Sequence, residues 1–346
     1  MRNSLIMRKI QNVLITGAAG FIGSHFVNEL LVKNNAVNVY SYDKLTYASN
    51  LANLTSVQNH PRHTFIQADI NNGEKVAEIL RKHTIDTIVH FAAESHVDNS
   101  IATPAIFFET NVMGTVTLLQ MAKEYWIDEQ KWSAEQCRFH HISTDEVYGS
   151  LNQNDLPFTE ETPYKPNSPY SASKAASDHA VRAYGKTFSL PVTISNCSNN
   201  YGPHQHAEKL VPTVIYHCLE SKAIPVYGNG LNYRDWLYVE DHCQAICLIL
   251  EKGIVGEVYN IGGGYEVNNL TLIKIICHIM DEYYPEKSPH ANLIQFVTDR
   301  PGHDFRYAID NKKIRQTLNW QPTTDPMVGL RKTIDFYIAA YNKGII

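Results

Sequence analysis

A short β-branched run, Asn12–Thr16, passes directly into Gly17-Ala-Ala-Gly20-Phe-Ile-Gly23, and from there into Ile22–Val32, where apolar residues recur at helical spacing. Few sequence features restrict a fold more. Gly17 permits the tight turn, Gly20 lets a ligand approach the backbone, and Gly23 allows the helix to pack closely on the strand. The helix amino terminus offers free N–H groups to an anion. Glycine turns between strand and helix are common, so the weight comes from position: this one falls at the first strand-to-helix turn, where a dinucleotide pyrophosphate is held. Asp43 lies twenty residues after Gly23, behind a second run, Val37–Tyr42. A carboxylate there accepts hydrogen bonds from the adenosine ribose and repels a 2′-phosphate, which favours NAD over NADP. Asp69 and Ile70 follow a third run and are placed to meet the adenine.

The same alternation continues. Strand-like runs at Thr64–Ala68, Thr87–Phe91, Arg138–Ser143 and Pro191–Asn196 are separated by helix-like segments at Val76–His83, Phe107–Tyr125 and Ser173–Phe188. Strands joined through helices run parallel with right-handed crossovers, so the expected fold is α/β: a Rossmann-type doubly wound parallel sheet with ligands at the carboxyl ends of its strands. Beyond Tyr201 the pattern loosens into Pro-, Gly- and Tyr-rich stretches. The division expected is an NAD-binding Rossmann domain over 10–200 and a smaller C-terminal α/β substrate-binding domain over 201–346, with 234–262 returning to the main sheet.

Composition narrows the function. Thirty-five acidic against 30 basic residues leave a net charge of −5. With no Lys/Arg-rich run, a nucleic-acid partner is not expected. The amino terminus lacks an apolar leader core, and no stretch approaches the ~18 apolar residues of a membrane span, so a cytoplasmic protein without membrane association is expected. The six cysteines are spread out, with no CxxC pair and no His/Cys cluster at zinc spacing, so reduced thiols and no metal are expected. His140 and His141 flank an apolar strand and His60 and His63 fall in a loop, none at metalloprotease spacing.

Two segments carry chemistry. Tyr170-Ser-Ala-Ser-Lys174 places a phenol and an ammonium one helical turn apart on one face. The ammonium, together with a positive nicotinamide ring, favours phenolate and makes Tyr170 a base near neutral pH. Thr144, a strand-end hydroxyl, is placed to orient a substrate alcohol against it. Ser143-Thr-Asp-Glu-Val-Tyr-Gly149 sets two adjacent acids, Asp145 and Glu146, at the carboxyl end of an apolar strand. Acids at helix starts also serve as caps. Alcohol oxidation alone has no use for this pair. A dehydration has, because one group removes a proton α to a carbonyl and another protonates the departing hydroxyl.

Taken together these blocks resemble the extended short-chain dehydrogenase/reductases, and within them the family of dTDP-glucose 4,6-dehydratases, from Val13 to about Tyr341. Further matching blocks are Asp43–Tyr47, Phe91–Asp98, Asn196–Pro203, Glu208–Pro212, Arg234–Tyr238 and Asp299–Asp304. The resemblance implies that Tyr170, assisted by Lys174 and Thr144, removes the sugar 4-hydroxyl proton while hydride passes from C4 to NAD. Glu146 then takes the C5 proton, Asp145 protonates the C6 hydroxyl so that water leaves, and hydride returns to C6 to give a 4-keto-6-deoxy sugar, as in rhamnose biosynthesis. It further implies that Phe21, Ile22, Lys44, Thr46, Ala92, Ala93, Thr110 and Asn200 join the glycine turn, Asp43, Asp69, Ile70, Tyr170 and Lys174 in contacting the cofactor. Ser95, Thr144, Asn199, Lys209, Arg234, Asn269, Arg300 and His303 would hold the nucleotide sugar, and a homodimer would form through a bundle of Phe107–Tyr125 and Ala175–Phe188.

This chain departs from that pattern at Asn99 and Phe305, where the family usually carries arginine. The choice between dTDP- and UDP-glucose is therefore left open. A UDP-hexose 4-epimerase or related decarboxylase would share NAD, Tyr170 and Lys174 but not need the acid pair. A GDP-mannose dehydratase would use NADP, against which Asp43 argues. A non-catalytic dinucleotide sensor would dispense with Tyr170, Lys174 and both acids.

Overall fold

The computed structural model describes residues 8–344 of the 346-residue chain. The start of the segment weighed above as a leader, up to residue 7, lies outside them. Twelve strands follow in order: β1 Asn12–Thr16, β2 Asn38–Asp43, β3 His63–Gln67, β4 Thr87–His90, β5 Arg138–Thr144, β6 Val192–Cys197, β7 Asn199–Tyr201, β8 Ile224–Tyr227, β9 Tyr233–Tyr238, β10 Val258–Ile261, β11 Glu266–Asn268 and β12 Ile294–Val297. Seven form one sheet in the order β10-β6-β5-β4-β1-β2-β3, every pair parallel. This is the doubly wound arrangement expected from the alternation of runs.

Why the strands read as unbroken apolar runs is visible at β1. Val13 and Ile15 face the helices Phe21–Lys33 and Val239–Lys252, whereas Leu14 faces Gly73–Lys82 and Gly114–Ala122. All three are without exposure, because a parallel sheet is covered on both faces and each period-2 position meets a core. The same double cover buries His140 and His141 inside β5 rather than beside it. His140 is satisfied by Thr193 at 2.9 Å and Ser195 at 3.2 Å on the neighbouring β6, so hydroxyls across the ladder make room for imidazoles in an apolar layer. His63 likewise begins β3 instead of lying in a loop.

Residues 104–129 run as one continuous helical stretch in which Phe108–Met113 and Lys123–Glu129 are widened to π-type turns. The helix Pro169–Phe188 begins four residues before the apolar pattern does. Ser168 and Ser171 cap each other reciprocally: the Ser168 hydroxyl accepts from the Ser171 N–H at 3.1 Å and the Ser171 hydroxyl from the Ser168 N–H at 3.0 Å. With Pro169 pre-set at the first helical position, the chain turns at once into the helix, and the cap is worth about 1 kcal/mol.

The carboxyl-terminal part is smaller. β11, β9 and β7 make a three-stranded sheet and β12 pairs with β8, around a separate core that includes Trp236, Ile276 and Ile334. Of the stretch 234–262, only β10 enters the main sheet; β9 pairs with β7 and β11, and the helix Val239–Lys252 packs back on Phe21–Lys33. Among the described residues no helix is long and apolar enough to cross a membrane.

Candidate active site

The carboxyl ends of β1, β2, β4, β5 and β6 open into a cavity of about 470 Å³. At its floor the glycine turn behaves as the sequence requires. Gly17 has φ +68°, and a side chain there would place its Cβ 2.6 Å from the Ala92 nitrogen; one at Gly23 would overlap the Gly17 carbonyl. Backbone is thus the only thing that fits, and the helix amino terminus beyond it is left facing the cavity. Asp43 is buried at the end of β2, its two oxygens accepting from the Ala19 N–H at 2.9 Å and the Leu45 N–H at 2.8 Å. A carboxylate has about four lone-pair sites, so two remain for ligand hydroxyls. Lys44 is paired to Asp69 at 2.6 Å on the rim. All the residues named above as cofactor contacts line this one cavity, and with them Thr144, Asp145, Glu146, Ser95, Asn199 and Lys209.

The catalytic candidates come from two elements. β5 ends at Thr144, whose hydroxyl accepts the Glu146 N–H at 3.3 Å and so starts the short turn Asp145–Tyr148. The helix Pro169–Phe188 carries Tyr170 and Lys174 across from it. Lys174 is buried and donates to the Ile142 carbonyl at 2.7 Å. Burial lowers its pKa to about 8. Tyr170 is held well above its usual range by burial first and then by the negative charge of Glu146, while the nearby Thr144 hydroxyl works toward the phenolate. The residues alone therefore favour the neutral phenol of Tyr170, with Thr144 the polar neighbour that works toward its deprotonation.

The adjacent acids occupy different surroundings. Asp145 is buried, and its Oδ2 has no partner among the described residues. Burial first, then Glu146 and Asp235, push its pKa well up, which favours the neutral acid. Glu146, half-buried, is also raised by burial, but Arg234, Arg300 and Lys209 all pull toward its charged form. Two carboxyls whose environments push their protonation apart are suited to acid and base roles.

Arg234, Asn269, Arg300 and His303 do not line the cavity. Arg234 lies buried behind it, its guanidinium 4.3 Å from the Tyr307 ring and donating to the carbonyls of Tyr233 at 2.7 Å and Asp304 at 3.0 Å. Asn269 donates its backbone N–H to the Asn232 carbonyl at 3.0 Å, and Asn232 in turn reaches the Asp304 carbonyl at 3.2 Å. Arg300 is 3.5 Å from Asp98, and His303 is bonded to Asp299 at 2.7 Å. These four form an outer wall whose cations reach Glu146 through charge rather than contact.

The motif reading passed over several lining residues. Glu94 and Glu208 stand inside the blocks Phe91–Asp98 and Glu208–Pro212 and line the cavity, as do Cys197, Ser198 and His206. Asn111 gave no signal, being a single amide in an apolar helix. Yet it is buried, accepts the Glu94 N–H at 2.8 Å and donates to Ser173 at 2.8 Å, tying the Phe91–Asp98 loop to the helix that carries Tyr170.

Residues 14–333 match the family model described as GDP-mannose 4,6 dehydratase. The chain is 49% identical over 332 residues to dTDP-glucose 4,6-dehydratase of Neisseria gonorrhoeae, covering 95% of this chain and 96% of that protein. It is similar to the dTDP-glucose 4,6-dehydratase of Streptomyces venezuelae solved with NAD and TYD bound, with TM-score 0.87, 44% identity and coverage of 96% and 98%. The Bacillus anthracis enzyme of the same name, in complex with NAD, gives TM-score 0.85 at 43% identity over 96% of this chain and 98% of that one.

Proposed function

The chain belongs to the GDP-mannose 4,6 dehydratase family, and within that family we infer that it is an NAD-dependent hydro-lyase converting dTDP-glucose to dTDP-4-keto-6-deoxyglucose and water. The observation that carries this reading is the acid pair at the end of β5: Asp145 buried with an unpartnered Oδ2 and pushed toward its neutral form, Glu146 drawn toward charge by Arg234, Arg300 and Lys209. An epimerase would have no proton to move at C5 or C6.

The glycine turn, which admits no side chain, and Asp43, with lone pairs to spare, fit NAD. Bound NAD supplies the hydride acceptor at sugar C4 and the donor at C6. The chain's own residues manage the protons. Tyr170 takes the proton of the C4 hydroxyl, with Thr144 stabilising the phenolate and Lys174 adding positive charge beneath. The 4-ketone acidifies C5–H, and Glu146 removes that proton as a carboxylate favoured by Arg234, Arg300 and Lys209. Asp145 gives its proton to the C6 hydroxyl, which leaves as water, and Glu146 returns a proton to C5.

Residues 10–200 are proposed to hold NAD and 201–346 chiefly the nucleotide sugar, with Ser95, Asn199 and Lys209 in the cavity and Asn269 and His303 in the outer wall beside Arg234 and Arg300. A homodimer is proposed through the 104–129 stretch and Pro169–Phe188, on which Phe108, Met113 and Phe188 stand exposed. The six free thiols suit the reducing cytoplasm, where the protein is placed by this reading.

The test is to incubate the purified protein with dTDP-glucose and, separately, UDP-glucose and identify products by mass and proton NMR. Loss of one water with a new C6 methyl signal is expected with dTDP-glucose. Unchanged mass with gluco-to-galacto conversion would replace this reading by an epimerase.

A further inference from the structure

Below the cavity, on the helix that carries Tyr170 and Lys174, the next turn brings a third polar residue to the same face. Tyr170, Lys174 and Asp178 are spaced four apart, so each side chain follows the last by about one turn. Asp178 has no exposure, and it is held from several elements. Its Oδ2 accepts from the Ser143 hydroxyl at 2.8 Å and from the Tyr164 hydroxyl at 2.9 Å. Its Oδ1 stands 3.2 Å from His141 Nε2 on β5. Ser143 immediately precedes Thr144. Asn196 donates both to the Thr144 carbonyl and to the Tyr164 hydroxyl, each at 3.2 Å, which closes a ring of contacts around the end of β5.

A buried carboxylate with such a clamp requires an explanation, and Lys174 requires one too. Its ammonium is buried and has one hydrogen bond, to the Ile142 carbonyl. The groups that face the pair are Tyr170 and His179 on the same helix, His141 on β5, His90 on β4, Cys197 on β6, and Tyr148 and Tyr164 from the segment after β5. Burial pushes His90 and His141 well below their ordinary range, so both are neutral. Burial raises Cys197 to about 12, which leaves a thiol, and holds Tyr148 and Tyr164 above their usual range as phenols. Asp178, raised by burial to about 6 and opposed first by Lys174, is ionised at neutral pH. It is the anionic member of this group.

We propose that Asp178 is the counter-charge of Lys174 and a positioning residue for Tyr170: its carboxylate, clamped by Ser143 and Tyr164, keeps the buried ammonium charged beneath the phenol and ties that helix to the strand end carrying Thr144, Asp145 and Glu146. It touches neither sugar nor cofactor and acts through Lys174. The inference rests on the 4,6-dehydratase reading, since the step it supports is proton removal from the C4 hydroxyl.

The experiment follows dehydration of dTDP-glucose by the NAD-loaded protein against pH, for wild type, Asp178→Asn and Asp178→Glu. A second readout is uptake of deuterium from D2O at C5 of the 4-keto-6-deoxy product, which uses Glu146 and requires no proton removal from a C4 hydroxyl. In Asp178→Asn the amide oxygen can still accept from Ser143 and Tyr164 while the charge is gone. The alkaline limb of the rate, expected near pH 8 from Lys174, should move down by about one pH unit, with an about fivefold lower rate at pH 8 and C5 exchange kept within about twofold. Asp178→Glu, which keeps the charge, is expected to leave the limb in place. An Asp178→Asn limb superimposed on wild type, or C5 exchange falling in step with dehydration, would overturn the inference. So would an Asp178→Glu limb displaced as far as that of Asp178→Asn. Should Asp178→Asn fail to load NAD, Asp178→Glu alone carries the test: an unmoved limb supports the inference and a displaced one sinks it. A wild type that leaves dTDP-glucose intact removes the functional reading itself; an active wild type with an unmoved Asp178→Asn limb removes only the inference.

Discussion

The edge of the seven-stranded sheet and the outer wall of the smaller lobe both serve one cavity, but they hold their residues by different means. At the edge, Thr144, Asp145 and Glu146 follow one another off the end of β5, and their direction is set by ladder bonds to β4 and β6. In the lobe, Arg234, Asn269 and Arg300 come from three separate segments. Arg234 is held by backbone carbonyls, Asn269 through Asn232, and Arg300 by Asp98. Groups that must sit within a fraction of an ångström of a reacting atom are placed by regular backbone; groups that supply charge at a distance are placed by long side chains. The expectation is that damage at the edge lowers kcat and damage in the wall raises KM.

The sharpest way to break that division is to neutralise the acids. Asp145→Asn and Glu146→Gln are each expected to lower kcat for dehydration by roughly 10²- to 10⁴-fold with little change in KM. In Glu146→Gln the C4 oxidation survives, so bound cofactor should be seen to accumulate in reduced form when dTDP-glucose is added. A rise in KM with kcat intact would show that the acids bind substrate and that edge and wall are not distinct.

Arg234→Met comes next. Removing the guanidinium takes one of the donors from each of the Tyr233 and Asp304 carbonyls and takes away the largest favourable charge on Glu146. Charge-assisted hydrogen bonds of this kind contribute about 1.5–3 kcal/mol, so kcat/KM should fall by about ten- to a hundredfold, chiefly through KM. A loss confined to kcat would move Arg234 from the wall to the chemistry.

These two regions were also unequally legible in the sequence. β1 was readable to the residue and the other main-sheet strands to within about one, because a doubly covered sheet writes its burial as short apolar runs bounded by turns. The glycine turn and Asp43 were legible for the same local reason. His140 was misplaced because the hydroxyls that satisfy it lie on β6, some fifty residues away in the chain, and His141 because its partners Ser177 and Asp178 lie on the helix Pro169–Phe188. The helix Pro169–Phe188 was shortened because its amino-terminal turn is polar and opens with proline, which reads as a loop until the Ser168–Ser171 cap is seen. Arg234, Asn269, Arg300 and His303 have no local pattern at all. They were reached by resemblance alone, and their place outside the cavity wall depends on packing between segments distant in the chain.

At the seam between the two regions lies Asp235, on β9 beneath Gly262 and near enough to Asp145 to raise its pKa. Burial raises Asp235 itself to about 6 from an ordinary 3.8, so between those values the folded protein binds more protons than the unfolded chain. The stabilising contribution is then full below about pH 4 and is lost as pH rises through about 6. Asp235→Asn removes this dependence. The melting temperature of the variant relative to wild type is expected to climb by several degrees between pH 4 and pH 7. A difference that stays flat across that range would mean that Asp235 is not buried as a charge at neutral pH.

The smallest effect is expected at Phe305, where the resemblance implies arginine. Phe305 is 38% exposed, edge-on to Tyr233 at 6.1 Å. Its backbone is fixed independently, the N–H donating to Ser150 at 3.0 Å and the carbonyl accepting from Tyr233 at 2.8 Å. Phe305→Arg therefore alters a side chain without moving the wall. The added guanidinium would sit in solvent, where an ion pair is worth about 1 kcal/mol or less, so KM for dTDP-glucose should change by no more than about fivefold. The rate ratio between dTDP- and UDP-glucose is expected to hold within the same margin, since the charges that act on Glu146 are already supplied by Arg234, Arg300 and Lys209. A tenfold swing in that ratio would place nucleotide choice at the exposed rim of the lobe, and would make this position, rather than the buried cations, the part of the wall that distinguishes substrates.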